Sequence, residues 1–253
     1  MTPITKFVSL AAVASLANSA YSAVLVQHYL FEGDGSDSAG SSDGTVGSGV
    51  SFGTGIQGQA MVVGVSGAAP VNVIDAPAFD PGTGDFSIAF WVRRDQNDTV
   101  NADGIFDALA GTGVGYQANF RAGADLDQMG FRIDGSDGNF SLIVDPNATS
   151  DTDWHHFALT IDRTANEGIL YRDGVEAISA PLAFGGSVTP TQNLQIGGIN
   201  NSAILGLDGS LDDLRFYTGV LTPSEVQALV VPEPGTSVFL GLLGIAAGLR
   251  RRR

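Results

Sequence analysis

Three observations predict an all-β sandwich or barrel for the body of this 253-residue chain. Its 34 glycines separate short runs rich in β-branched and aromatic residues, the pattern of strands joined by tight turns. Phe86-Ser87-Ile88-Ala89-Phe90-Trp91-Val92 alternates with period two, so Phe86, Ile88 and Phe90 face one side while Ser87, Ala89 and Trp91 face the other. Asp173-Gly174 lies between Leu170-Tyr171-Arg172 and Val175, where a type I′ hairpin turn needs two residues that accept positive φ.

Strands are expected at 24–31, 61–65, 86–92, 104–109, 116–121, 130–133, 140–144, 154–163, 168–172, 175–180, 194–197 and 209–217. One helix is expected. Thr222 is its N-cap, Pro223 takes the first turn, and Glu225 completes a capping box ahead of Val226, Leu229 and Val230. The Ser/Gly/Asp stretch 33–49 reads as loop, open to short-range disorder.

Both ends read as address labels. Lys6 supplies a positive start, residues 7–16 are apolar, and Ala20-Tyr21-Ser22 or Ala17-Asn18-Ser19 offers a small-residue cleavage site, so 1–22 is expected to be a secretory signal peptide. At the other end, 231–253 holds Pro232-Glu233-Pro234, an apolar run at 238–249, and Arg250, Arg251, Arg252 and Arg253. The prolines lack amide donors and keep the triplet extended. The apolar run would form about 18 Å of helix at 1.5 Å per residue, short of the roughly 20 residues of a comfortable transmembrane helix. The arginines would hold its far end on the cytoplasmic side. That order resembles the PEP-CTERM sorting signal of Gram-negative bacteria. The resemblance implies cleavage near the triplet by an exosortase-type membrane protease, a transient inner-membrane intermediate, and delivery to the cell surface or extracellular matrix. A single domain of 23–230 lies between the labels.

Charge and cysteine content narrow the partners. The chain carries 27 acidic against 12 basic residues, and trimming both ends removes Lys6, the lone lysine, with the four terminal arginines. Such a field repels nucleic acid and anionic headgroups and suits divalent cations. With no cysteine, an exported domain relies on core size or bound metal.

Four blocks resemble the laminin-G-like branch of the concanavalin A-like lectin/glucanase fold. They are His28-Tyr29-Leu30-Phe31-Glu32-Gly33-Asp34 with the aspartates after it; Asp85-Phe86-Ser87-Ile88-Ala89-Phe90-Trp91-Val92; Trp154-His155-His156-Phe157-Ala158-Leu159-Thr160-Ile161-Asp162; and Leu207-Asp208-Gly209-Ser210-Leu211-Asp212-Asp213-Leu214-Arg215-Phe216-Tyr217. The resemblance implies a jelly roll of two antiparallel sheets.

Candidate chemistry is sparse. His155 and His156 are adjacent on a strand, so their side chains point to opposite faces and cannot readily serve one metal; His28 is distant in sequence. Glycosidases need two convergent carboxylates, yet Glu32, Glu167, Glu176 and Glu225 are widely spaced; Asp208 and Asp212 share a strand face at i, i+4. Calcium is the expected cofactor, held by Glu32, Asp34, Asp37 and Asp43 with Asp212 or Asp213 if the first and last strands pair. A second acidic loop is Asp95-Gln96-Asn97-Asp98 with Asn101 and Asp103. Tyr116, Phe120 and Phe140 are the aromatics that a sugar ring could stack on if they are exposed rather than packed in the core. The expectation is a non-enzymatic module that binds extracellular polysaccharide or matrix polymer. The alternatives are a polysaccharide hydrolase or lyase, and a passive structural matrix protein.

Overall fold

The structure is a computed structural model that describes residues 23–64, 74–95, 103–109, 113–121, 127–147, 149–199 and 206–231. The expected signal peptide at 1–22 and the segment 232–253, with Pro232, Glu233, Pro234 and the four arginines, lie outside the described residues. Among the described residues no helix is long and apolar enough to cross a membrane.

Two antiparallel sheets form the molecule. The first runs β13 (Val175–Pro181), β12 (Glu167–Arg172), β11 (His155–Asp162), β6 (Phe86–Arg94), β15 (Gly209–Thr218), β4 (Gln59–Val63), β3 (Val50–Thr54), and β1 (Val24–Tyr29) also pairs with β15. The second runs β10 (Phe140–Val144), β9 (Met129–Asp134), β8 (Gly115–Phe120), β7 (Asp103–Asp107), β14 (Leu194–Ile196), β5 (Ile74–Ala76), β2 (Thr45–Val46). The expected pairing of first and last strands is present, with Val24 opposite Thr218 and Tyr29 opposite Leu214.

Period-two alternation builds the core. Phe86, Ile88, Phe90 and Val92 of β6 and Phe157, Leu159 and Ile161 of β11 meet Phe106, Tyr116, Phe131 and Ile133 of the facing sheet, all buried. Phe90 meets Phe106 edge-on at 5.8 Å, and Phe106 meets Phe216 at 5.9 Å. Each such side chain contributes about 1.5–3 kcal/mol on burial. This interior compensates for the lack of disulfides.

A smaller apolar cluster lies on the opposite face of the first sheet. There α1 (Pro223–Leu229) packs Val226, with Leu221 just before it, onto Ala89, Ala158, Tyr171 and Tyr217. The alanines leave room for the helix, which begins as expected. Thr222 accepts from the Glu225 amide, the Glu225 side chain caps the Thr222 amide, and Pro223 sits in the first turn. The Asp173-Gly174 turn has φ of 51° and 77°, as a type I′ turn requires.

Three strands depart from the sequence expectation: β2, β3 and β5. The loop 33–49 is also better organised than its composition suggests. Asp37 organises it by accepting the amides of His28, Ala39, Gly40 and Ser42 at 2.9–3.1 Å, and Asp43 accepts the amide of Asp37. Side-chain acceptors replace a strand ladder there.

Candidate functional site

Strand β15 changes partners along one edge. Gly209, Ser210 and Leu211 pair with β4, whereas the strand from Leu214 onward pairs with β1. At the changeover Asp212 to Arg215 spans only Trp91 to Ala89 on β6, a β-bulge, and Asp213 takes φ of 54°. The β3–β4 turn fills the gap. Asp212 Oδ2 accepts the amides of Ile56 at 2.8 Å and Gln57 at 3.3 Å, replacing the missing ladder. Gly55 permits this approach, since a Cβ there would lie 2.4 Å from that oxygen.

Asp213 Oδ1 is shared by His28 Nε2 at 2.6 Å and Arg215 Nε at 2.8 Å. Trp91 meets His156 edge-on at 5.3 Å, one strand further across. These larger side chains continue the row that begins with Ala89 and Ala158, and α1 ends beside them. A cleft of about 130 Å³ results, lined by Ile56, Gln57, Trp91, Asp213 and Arg215, with Ala228 and Leu229 at the end of α1 and Val231 just past it. At roughly 30 Å³ per water it has room for about four waters. Binding pockets for drug-sized ligands span about 300–1,000 Å³, so this cleft suits a single small ring or a chain end.

The charges in the cleft are tuned by burial. Burial pushes the Asp212 carboxyl up to about 7, although the Gln57 and Ile56 amides favour its ionised form. Burial drives His156 down to about 4, so its ring is neutral at physiological pH, and its Nδ1 has no hydrogen-bond partner among the described residues. The cleft thus offers an aromatic edge, an Arg–Asp–His network and an amide side chain. That set can donate to and accept from hydroxyls around a small polar ring.

The sequence-predicted residues divide as follows. The two histidines do point apart: His156 lies under the cleft, while His155 bridges Asp173 at 2.8 Å and Asp151 at 2.9 Å. Of the calcium candidates, Asp213 reaches the cleft. Asp37 and Asp43 accept loop amides as described, Asp34 accepts the Ser36 amide, and Glu32 accepts the Gln59 amide. No three His, Cys, Asp or Glu among the described residues group to hold a metal. In the second acidic loop, Asp95 pairs with Arg93 and Asp103 with Arg94, while Gln96, Asn97, Asp98 and Asn101 lie outside the described residues. Asp208 precedes β15, so it does not share a strand face with Asp212. Tyr116 and Phe120 are buried in the core, and Phe140 is 49% exposed. Sequence reading missed Gln57 and Arg215, because the bulge and the turn that gather them depend on long-range pairing.

Comparison with known proteins follows the same outline. The family described as the concanavalin A-like lectin/glucanases superfamily matches residues 65–227, and the PEP-CTERM protein-sorting motif matches 230–253. No curated protein matches the chain. The fold is similar to the binding domain of Paraclostridial Mosquitocidal Protein 1, at TM-score 0.64 and 17% identity, over 81% of this chain and 51% of that one. It is also similar to Domain 4 of AbnA, an extracellular arabinanase of Geobacillus stearothermophilus solved with arabinotriose, at TM-score 0.62 and 22% identity, over 83% of this chain and all of that one. The ligand binding domain of botulinum neurotoxin serotype D, solved with N-acetylneuraminic acid, matches at TM-score 0.60 and 13% identity, over 81% of this chain and 50% of that one. The chain therefore spans about half the length of the toxin domains.

Proposed function

We propose, because the chain belongs to the concanavalin A-like lectin/glucanases superfamily and carries a PEP-CTERM protein-sorting motif, that it is an exported, non-enzymatic glycan-binding module of the cell surface or extracellular matrix. The motif marks the chain for export and surface sorting. An exosortase-type protease releases the tail, and the domain then engages extracellular polysaccharide. The observation that carries the binding role is the cleft: Trp91, Gln57, Asp213 and Arg215 line a space sized for one sugar unit, with His28 and Arg215 both bonded to Asp213. The arabinotriose and N-acetylneuraminic acid seen on similar folds support a sugar as the ligand class. Net charge of −15 favours neutral polymers over polyanionic ones.

Among the described residues Asp212 favours the hydrolytic alternative, since a carboxyl protonated near neutrality beside Asp213 resembles an acid–base pair. Its geometry argues against the role. Asp212 is 1% exposed and its Oδ2 accepts two amides, so it cannot reach a glycosidic oxygen. Affinity electrophoresis and calorimetry with neutral polysaccharides test the binding reading. Gln57→Ala and Arg215→Met are expected to weaken binding about 2–10-fold each, the range of one hydrogen bond at about 0.5–1.5 kcal/mol. Unchanged affinity in both variants refutes the cleft as the site. Release of reducing ends refutes the non-enzymatic reading.

A further inference from the structure

The solvent face of the second sheet carries a different surface, on strands β8, β9 and β10. The inward residues there, including Tyr116, Phe120, Phe131, Ile133 and Ile143, are buried in the core. Their outward neighbours should be polar, yet Phe140 is 49% exposed and Leu142 is 45% exposed on β10. Phe140 is paired with Asp134, and Asp134 in turn with Gly115; Leu142 is paired with Arg132, and Arg132 with Gln117. The first row is therefore low, because Gly115 adds no side chain beside Asp134. The second row is amphipathic. Arg132 grips Asp134 through two parallel bonds of 2.7 and 2.8 Å, and its guanidinium stands 4.6 Å from the Phe140 ring centroid.

Ring, fork and amide together have the chemistry that recognises a sugar. The carbon–hydrogen face of a pyranose packs on an exposed aromatic ring. Its hydroxyls can donate to the Asp134 carboxylate, and Gln117 can accept or donate beside it. Charge selects among polymers: the chain is strongly acidic, and Arg132 is already neutralised by Asp134, so a neutral chain is favoured over a polyanion. A flat sheet admits the interior of a polymer, whereas the cleft near α1 admits a single unit.

The geometry points to a second glycan-binding surface centred on Phe140, Arg132 and Asp134, on the sheet opposite the cleft, so that one chain bridges two strands of neutral polysaccharide. The bridging part rests on the proposed role of the cleft; the surface itself does not. Stacked sheets lie about 10 Å apart with their outer faces pointing away from each other, so the two sites cannot serve the same stretch of polymer.

The test uses the full-length protein with soluble arabinan, mixed-linkage glucan and galactomannan. Calorimetry with short oligosaccharides counts sites, and turbidity with the polymers reads bridging. Phe140→Ser and Leu142→Thr replace exposed residues, and a melting temperature within about 2 °C of the wild type will show that the fold is kept. The expected result is two equivalents falling to one in Phe140→Ser, with at least tenfold weaker binding at the lost site and loss of the polymer turbidity. The wild-type turbidity should peak and then decline as protein is added in excess. Unchanged stoichiometry and turbidity in Phe140→Ser overturn the proposal. A wild type with one equivalent, removed by Phe140→Ser and untouched by Gln57→Ala, upholds the Phe140 surface while overturning both bridging and the cleft.

Discussion

Replacing Arg94 with methionine probes a buried charge network that ties strands of both sheets together. Arg94 is 2% exposed; its Nε donates to Asp103 at 2.7 Å, its Nη1 pairs with Asp127, and its guanidinium lies 4.8 Å from the Phe120 ring centroid. Asp103 and Asp127 are buried too. Removing one partner of a buried ion pair costs about 3–5 kcal/mol, because the remaining charge stays out of water without compensation. Arg94→Met takes the shared cation from two buried carboxylates while keeping most of the side-chain volume, so the upper part of that range applies. For a domain of this size 1 kcal/mol shifts the melting temperature by about 2–4 °C, and the expected loss is therefore on the order of 8–20 °C at pH 7. The triple variant Arg94→Met, Asp103→Asn, Asp127→Asn should recover most of the loss, because it removes both carboxylates with the cation. Differential scanning calorimetry at pH 7 reads both effects. A shift below about 3 °C in Arg94→Met, or a triple variant no more stable than Arg94→Met, refutes the reasoning.

Two further effects are expected. Asp37→Ala strands three loop amides and the His28 amide of β1 and should destabilise the domain by about 3–5 kcal/mol, since bonds to a charged acceptor contribute about 1.5–3 kcal/mol each but are not additive; urea melts should give the same loss with calcium or with EDTA, and a loss confined to calcium buffer would reassign the carboxylate to a cation. The hydrogen bond that His155 donates to Asp173, with help from the one to Asp151, raises His155 from 6.5 to about 9, so its stabilisation is complete below pH 6.5 and disappears as pH rises through 9. After solvent screening this amounts to about 1–2 kcal/mol; His155→Gln should flatten the wild-type decline between pH 6.5 and 9, and an unaltered slope in melts across that window would exclude His155 as its source.

Local signals carried most of the architecture. The Asp173-Gly174 turn, the capped helix at Pro223–Leu229 and the alternation of β6 each depend on a few neighbouring residues, and all three formed as the sequence indicates. The short strands β2 and β5 gave no such signal, because two or three residues are too few to establish a period, and their pairing with each other and with β14 is set by tertiary contacts. The candidate site was legible only in pieces. His28, Asp213 and Trp91 stood in conspicuous blocks, but the bulge that gathers them arises from the switch of β15 between β4 and β1. The acidic residues near the amino end read as cation ligands, and the loop amides that they accept could not be read from the sequence, because those bonds depend on the path of the loop. Phe140 was indistinguishable from Phe120 by residue type, and only its place on an outward register position of β10 separates them.

The last of the described strands, β15, sits inside the larger sheet with β6 on one flank and β4 and β1 on the other. A pull on the carboxyl end would first peel α1 from its alanine seat and then have to shear β15 against both flanks at once. An attachment made there would thus transmit load into the middle of the fold rather than unzip it from a rim.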